Sequence, residues 1–131
     1  MTAGSARRRW SIMLPKDVPA ARTARSALDR WLGDAAGETV DDARSIVTEL
    51  VSNAVAFGRP PIELTVEQQR RCLRIEVSHA GTGTAVRPPR DRHGGWGLEI
   101  VSRLGPRHGV LQGRSGVWCE LPSAPAGRSA R

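Results

Sequence analysis

The chain has 131 residues, 39% hydrophobic and 25% charged, enough apolar material for one folded domain and too little length for two comfortable ones. No apolar run approaches the ~20 residues of a membrane span, and no secretory hydrophobic segment follows Arg7-Arg8-Arg9, so a soluble cytoplasmic protein is expected. Twenty basic against thirteen acidic side chains leave a net charge of +7, which makes nucleic acid a partner class to be weighed.

Residues 1–9 are small, polar and basic and read as a disordered leader. Trp10 to Leu14, closed by Pro15, predicts an edge strand. Asp17 is placed to cap a helix over 18–32, with Val18, Ala21, Ala24, Ala27, Leu28, Trp31 and Leu32 as its apolar stripe and Gly33 as its end. A second helix is marked by Val40, Ala43, Ile46, Val47, Leu50, Val51, Ala54 and Val55 at three-and-four spacing, stopped by Gly58 and Pro60-Pro61. The period then changes to two. Ile62, Leu64 and Val66 alternate with polar residues, as do Leu73, Ile75 and Val77, and the polar stretch Gln68 to Arg71 joins them into a hairpin.

Glycine and proline make residues 79–97 a long loop. A short helix over Leu98–Leu104 ends at Gly105-Pro106. Val110-Leu111, a glycine-containing turn and a strand Val117–Leu121 follow, with Val117, Cys119 and Leu121 on one face. This order predicts an α/β (α+β) two-layer sandwich, with helices on one face of a mixed, mostly antiparallel sheet. The folded part is expected over 10–122, and 123–131 as a disordered tail.

Lys16 is the sole lysine, and an arginine skew of this kind reflects codon usage more often than a site. Several arginines fall in the expected leader and tail, and without tyrosine the stacking platforms of a single-strand binder would rest on four tryptophans. Nucleic-acid binding is therefore the minor alternative. Cys72 and Cys119, with His79, His93 and His108, show no metal-ligand spacing. Both cysteines fall in or beside strand-like segments, where a thiol usually serves as a small buried hydrophobe. Their number allows a disulfide, but nothing indicates an oxidising compartment.

Three segments carry candidate chemistry. Glu49 and Asn53 in Glu49-Leu50-Val51-Ser52-Asn53 are four apart on the second helix and share a face, beside the apolar stripe. Their oxygens suit a hydrated magnesium ion, and the carboxylate suits proton abstraction. By itself such a pair more often describes a solvated helix face. His79-Ala80-Gly81-Thr82-Gly83 follows a strand, where glycines let backbone approach a flat ligand, or simply end the strand. Gly94-Gly95-Trp96-Gly97-Leu98 opens a helix, and such an N-terminus offers free N–H groups to phosphate.

In this order the three segments resemble the histidine-kinase-type ATPase fold, in the small single-domain form of anti-sigma-factor serine/threonine kinases and their actinobacterial relatives. Glu49-Leu50-Val51-Ser52-Asn53-Ala54-Val55 is similar to that family's first motif, Gly81 and Gly83 to its second, and Gly95-Trp96-Gly97-Leu98 with Ile100-Val101 to its third. Gly116 to Leu121 resembles the final strand. The resemblance implies ATP and Mg2+ as cofactors. Asn53 would hold the magnesium and Glu49 would activate a partner's serine hydroxyl or a water. His79, Gly81 and Gly83 would line the adenine pocket, and Gly95, Gly97 and Leu98 would close over the phosphates. The loop between Gly83 and Gly95 would form a lid carrying Arg87, Arg90 and Arg92. Expected partners are an anti-anti-sigma-type protein, a sigma factor, or both, with a homodimer as a family habit and no membrane.

Two departures qualify this. His79 stands where the family has an Asp that accepts from the adenine amino group, and losing a charge-assisted bond of that kind costs about 1.5–3 kcal/mol. Ala56 and Phe57 stand where a basic residue and a His are usual. The alternative that follows is a nucleotide-poor, catalytically degenerate protein-binding module of the same fold.

Overall fold

Segments of period two become the strands, and segments of period three-and-four the helices. The computed structural model describes residues 8–33, 38–81 and 107–123. Its elements run β1 (Arg8–Leu14), α1 (Ala20–Leu32), α2 (Glu38–Phe57), β2 (Ile62–Gln68), β3 (Cys72–His79), β4 (Arg107–Val110) and β5 (Ser115–Pro122). They form a five-stranded sheet in the order β1-β2-β3-β5-β4, antiparallel at every pairing, with two helices packed on one face. Of the expected leader 1–9, Arg8 and Arg9 belong to β1, and of the expected loop 79–97, His79 ends β3; residues 1–7, the loop from Thr82, the helix Leu98–Leu104 and the tail from residue 124 lie outside the described residues.

Alternation sorts the sheet into two faces. Leu64, Val66, Leu73, Ile75, Val77, Cys119 and Leu121 point inward and are buried against Leu28, Ile46, Val47, Leu50 and Val51 of the helices. Each such aliphatic side chain contributes about 1.5–3 kcal/mol by leaving water. At the β1 edge Trp10 stacks on Trp31 with centroids 6.1 Å apart, and the Arg8 guanidinium lies 4.7 Å over the Trp31 ring. Both cysteines are free. Burial, reinforced by Glu120, pushes the Cys119 thiol up to about 11, so it stays protonated and acts as the small hydrophobe expected.

The outward face carries a row of alternating charge. Register places Arg9 opposite Glu67, Glu67 opposite Arg74, Arg74 opposite Glu120 and Glu120 opposite Arg107. Arg74 meets Glu120 at 2.9 Å and Glu76 at 2.7 Å, while Arg107 meets Glu120 at 3.0 Å. Arg74 also lies 4.5 Å over the ring of Trp118, which sits on this face. The arginines here are matched by carboxylates, so this face does not present a basic stripe to a phosphate backbone.

Two local readings are corrected. Helix α1 begins at Ala20 behind Pro19 as N-cap, with no side-chain cap. Asp17 instead accepts the Ala20 N–H through its carbonyl at 3.1 Å, and Val18 is 91% exposed. Proline at the helix entry lacks an N–H and pre-sets φ, so the stripe is phased from Ala20 and not from Val18. The short strand near Val110 runs from Arg107 and leaves Leu111 in the turn. Gly33 ends α1 as expected, at φ 65°, with its N–H on the Asp29 carbonyl at 3.0 Å.

Helix α2 has no base in its last turn. Lys16, from the β1–α1 connection, supplies one: its ammonium donates to the Val55 carbonyl and, at 3.2 Å, to that of Gly58. Cations favour the negative end of a helix and satisfy its free carbonyls. Lys16→Met is expected to lower stability by about 1 kcal/mol, read as a reduced urea midpoint at unchanged slope.

No helix among the described residues is long and apolar enough to cross a membrane.

Candidate functional site

Helix α2 positions the first pair. Because β3 and β5 both pack against it, its buried arc is wide and includes Asn53, which is only 4% exposed. The apolar spacing placed Asn53 beside the stripe; it lies within the buried face. Glu49, one turn earlier, is half-buried at the margin of that arc. Its carboxyl is raised above the usual 4.5 by desolvation. The two are hard oxygen donors of the kind that hold a hydrated magnesium ion. Among the described residues, no cluster of three or more His, Cys, Asp or Glu side chains could cage a metal alone.

Strand β3 positions the second segment. His79 continues the inward alternation of Leu73, Ile75 and Val77, so its ring meets the C-terminal end of α2. There it packs on Gly58, whose N–H is held by the Ala54 carbonyl at 2.8 Å. A Cβ on Gly58 would lie 2.8 Å from the His79 Cγ and 3.0 Å from its Nδ1. A Cβ on Gly81 would lie 3.4 Å from the same Nδ1 and 3.6 Å from Cε1. Two glycines thus leave the slot that the Cγ–Nδ1–Cε1 edge of the imidazole occupies. Backbone pins the slot: the Ala80 N–H donates to the Arg59 carbonyl at 2.9 Å, and Ser115 Oγ donates to the Gly81 carbonyl. His79 is 7% exposed, and neither ring nitrogen has a hydrogen-bond partner among the described residues.

The fold therefore brings the first and second segments together. His79 packs on Gly58, the residue directly after α2, and Gly81 packs on His79 and Arg59; Asn53 lies one residue before the last turn of α2, with Glu49 one turn further back. Gly83, Gly95, Gly97 and Leu98 lie outside the described residues, as do Arg87, Arg90, Arg92, His93 and Trp96. On the reverse side of the sheet, Arg114 donates to Ser78 Oγ at 2.6 Å and to Glu63 at 3.2 Å. A groove of about 210 Å3 opens beside them, reaching His79 and Ala80.

Sequence reasoning did not assign three supports of this site. Gly58 was legible only as a helix stop, although a glycine there also leaves room for a ring. Lys16 stood out as the sole lysine, but its target is a helix end 39 residues away. Ser115 gave no signal at all.

The family model of the histidine kinase-like ATPase domain matches residues 14–116. Among solved structures, the chain is similar to the crystal structure of the RsbU and RsbW domains of Rv1364c from Mycobacterium tuberculosis, with a TM-score of 0.62 and 22% identity. That match covers 90% of this chain and 32% of the other, so this chain spans about a third of that protein's length. At this identity the likeness shows the fold alone. No curated protein matches the chain. Matched by that family model over residues 14–116, most of its length, the chain belongs to the histidine kinase-like ATPase domain family.

Proposed function

We infer that the chain is an ATP-binding regulatory module of the anti-sigma-factor serine/threonine kinase type, acting on a serine of an anti-anti-sigma-type partner, holding a sigma factor, or both. The observation that carries this is the Glu49–Asn53 pair, with Asn53 turned into the buried face of α2 and His79 packed on Gly58 just past the helix end. The resemblance of its nearest motifs to those kinases, and the RsbW domain named in the similar structure, support the regulatory class.

The residues present fit magnesium: a carboxamide oxygen and a carboxylate suit the ion that accompanies ATP. When bound, Mg-ATP supplies the transferable γ-phosphoryl group. Asn53 would hold the ion. A Glu49 carboxylate oxygen would take the proton from the attacking hydroxyl, which requires the deprotonated form; burial raises this carboxyl, so that form is reached later on the pH axis than for an exposed glutamate. Gly81 keeps side chains off the base. Gly83, Gly95, Gly97 and Leu98 enter this proposal by motif only.

Calorimetry with Mg-ATP tests it. Saturable micromolar binding is expected, weakened about 100-fold in Asn53→Ala. Glu49→Gln is expected to keep binding while slowing ATP consumption about 100-fold or more. Burial penalises the charged Glu49, so the neutral amide leaves stability at pH 7 intact or raised. A second reading, the nucleotide-poor protein-binding module, is favoured by one observation: the His79 ring fills its slot with both nitrogens covered. Absence of Mg-ATP binding to the intact chain would select it.

A further inference from the structure

A strand at the border of a sheet leaves every second N–H and C=O without a strand partner, and proteins usually shorten, charge or kink such a border. The two borders of this sheet differ. Strand β4 is four residues long, carries Gly109, and has its Arg107 held by Glu120 at 3.0 Å. Strand β1 pairs with β2 over seven residues without interruption and contains neither glycine nor proline. Among the described residues no strand covers its other side. Its apolar side chains are incompletely covered as well. Trp10 and Ile12 are half-buried, whereas Val66 and Leu64, their partners on β2, are fully buried. Met13, on the reverse face, is 56% exposed. One more strand would give Trp10 and Ile12 the cover that β1 gives Val66 and Leu64.

Charge identifies the strand that fits. The charged residues of β1 are Arg8 and Arg9, both exposed, and neither forms an ion pair among the described residues. Arg8 donates one N–H to the Trp31 carbonyl at 3.3 Å and lies over the Trp31 ring, so no carboxylate balances it. A second copy of β1 would bring two more arginines and no acid to the seam. A strand with acidic side chains brings the complement.

We propose that β1 is a docking edge for an extended acidic segment of a partner protein, which joins the five-stranded sheet as a further strand. The segment's main chain pairs with β1. Its apolar side chains lie beside Trp10 and Ile12 on the helix side, and its carboxylates lie at the Arg8–Arg9 end. Main-chain hydrogen bonds supply the affinity of such an addition, and the alternate side chains supply its selectivity. None of the residues involved belongs to the proposed nucleotide site, so the edge works without nucleotide.

The experiment uses the full chain without nucleotide and a peptide of about eight residues alternating valine and glutamate, with its valine–lysine counterpart as control. Saturable binding of the glutamate peptide is expected, with hydrogen-exchange protection gained at the β1 amides. Binding should weaken about tenfold when Arg8→Glu and Arg9→Glu are combined, and again at about 1 M salt, where charges are screened within about 3 Å. The lysine peptide should bind at least about tenfold more weakly. Equal binding of the two peptides, protection gained on other strands only, or no binding of the glutamate peptide overturns the proposal. The protection pattern is read on the wild-type chain, so it does not depend on how the variant folds. Sedimentation of the chain alone decides against the other occupant. A monomer with unprotected outer β1 amides supports the proposal, and a dimer with those amides already protected assigns the edge to a second copy and overturns it.

Discussion

Gly116→Ala is expected to cost about 3 kcal/mol or more, enough to remove much of the stability of a small domain. Gly116 sits in β5 at φ 144°, a backbone conformation that L side chains rarely adopt. The space is closed as well: a Cβ would lie 2.2 Å from the Val77 carbonyl oxygen and 2.8 Å from the Ser78 Cα. Both obstacles are main chain of β3, so no rotamer change relieves them. Gly116 pairs with Ser78, directly before His79, and residual folded protein should therefore also show weakened nucleotide binding. Urea unfolding followed by tryptophan fluorescence measures the first effect and calorimetry the second. A loss below 1 kcal/mol would mean that β5 can slide without cost.

Gly58→Ala is expected to destabilise by about 2 kcal/mol, through overpacking of the His79 ring and not through backbone strain. The clash is with a side chain at 2.8 Å and with the Ala54 carbonyl at 2.9 Å. Removing the ring should return part of the loss. A double-mutant cycle of Gly58→Ala with His79→Ala is expected to show a coupling of about 1 kcal/mol, with the double variant more stable than the sum of the singles predicts. Additivity within about 0.3 kcal/mol would show that the ring can turn away from Gly58 freely.

The fold was legible because its periodicities are clean. Ile62-Leu64-Val66 and Leu73-Ile75-Val77 alternate without interruption, and both become buried faces. The start of α1 was misread because Asp17 is a good cap by residue type, while Pro19 two residues later is a better entry by backbone geometry. At the site, helical spacing placed Glu49 and Asn53 on α2, whereas His79, expected in the loop after the strand, is the last residue of β3. Spacing along α2 could not show that Asn53 turns inward, since that depends on how much of the helix β3 and β5 cover. Nor could it show the glycine slot around His79, which joins residues about twenty positions apart. Such contacts leave no periodic trace.

The alternating charges on the open face of the sheet bear on strand alignment during folding. Hydrophobic alternation repeats every two residues, so it rejects a one-residue slip of β3 along β2 but is blind to a slip of two. Charge is not blind. In the native register Glu76 faces Thr65. Sliding the hairpin by two residues one way sets Glu76 opposite Glu67, and sliding it the other way sets it opposite Glu63. Like charges directly opposed are unfavourable by up to about 1 kcal/mol, and either error also separates Arg74 from Glu67. Glu76 thus guards the hairpin alignment in both directions, and with it the point along the sheet at which His79 arrives.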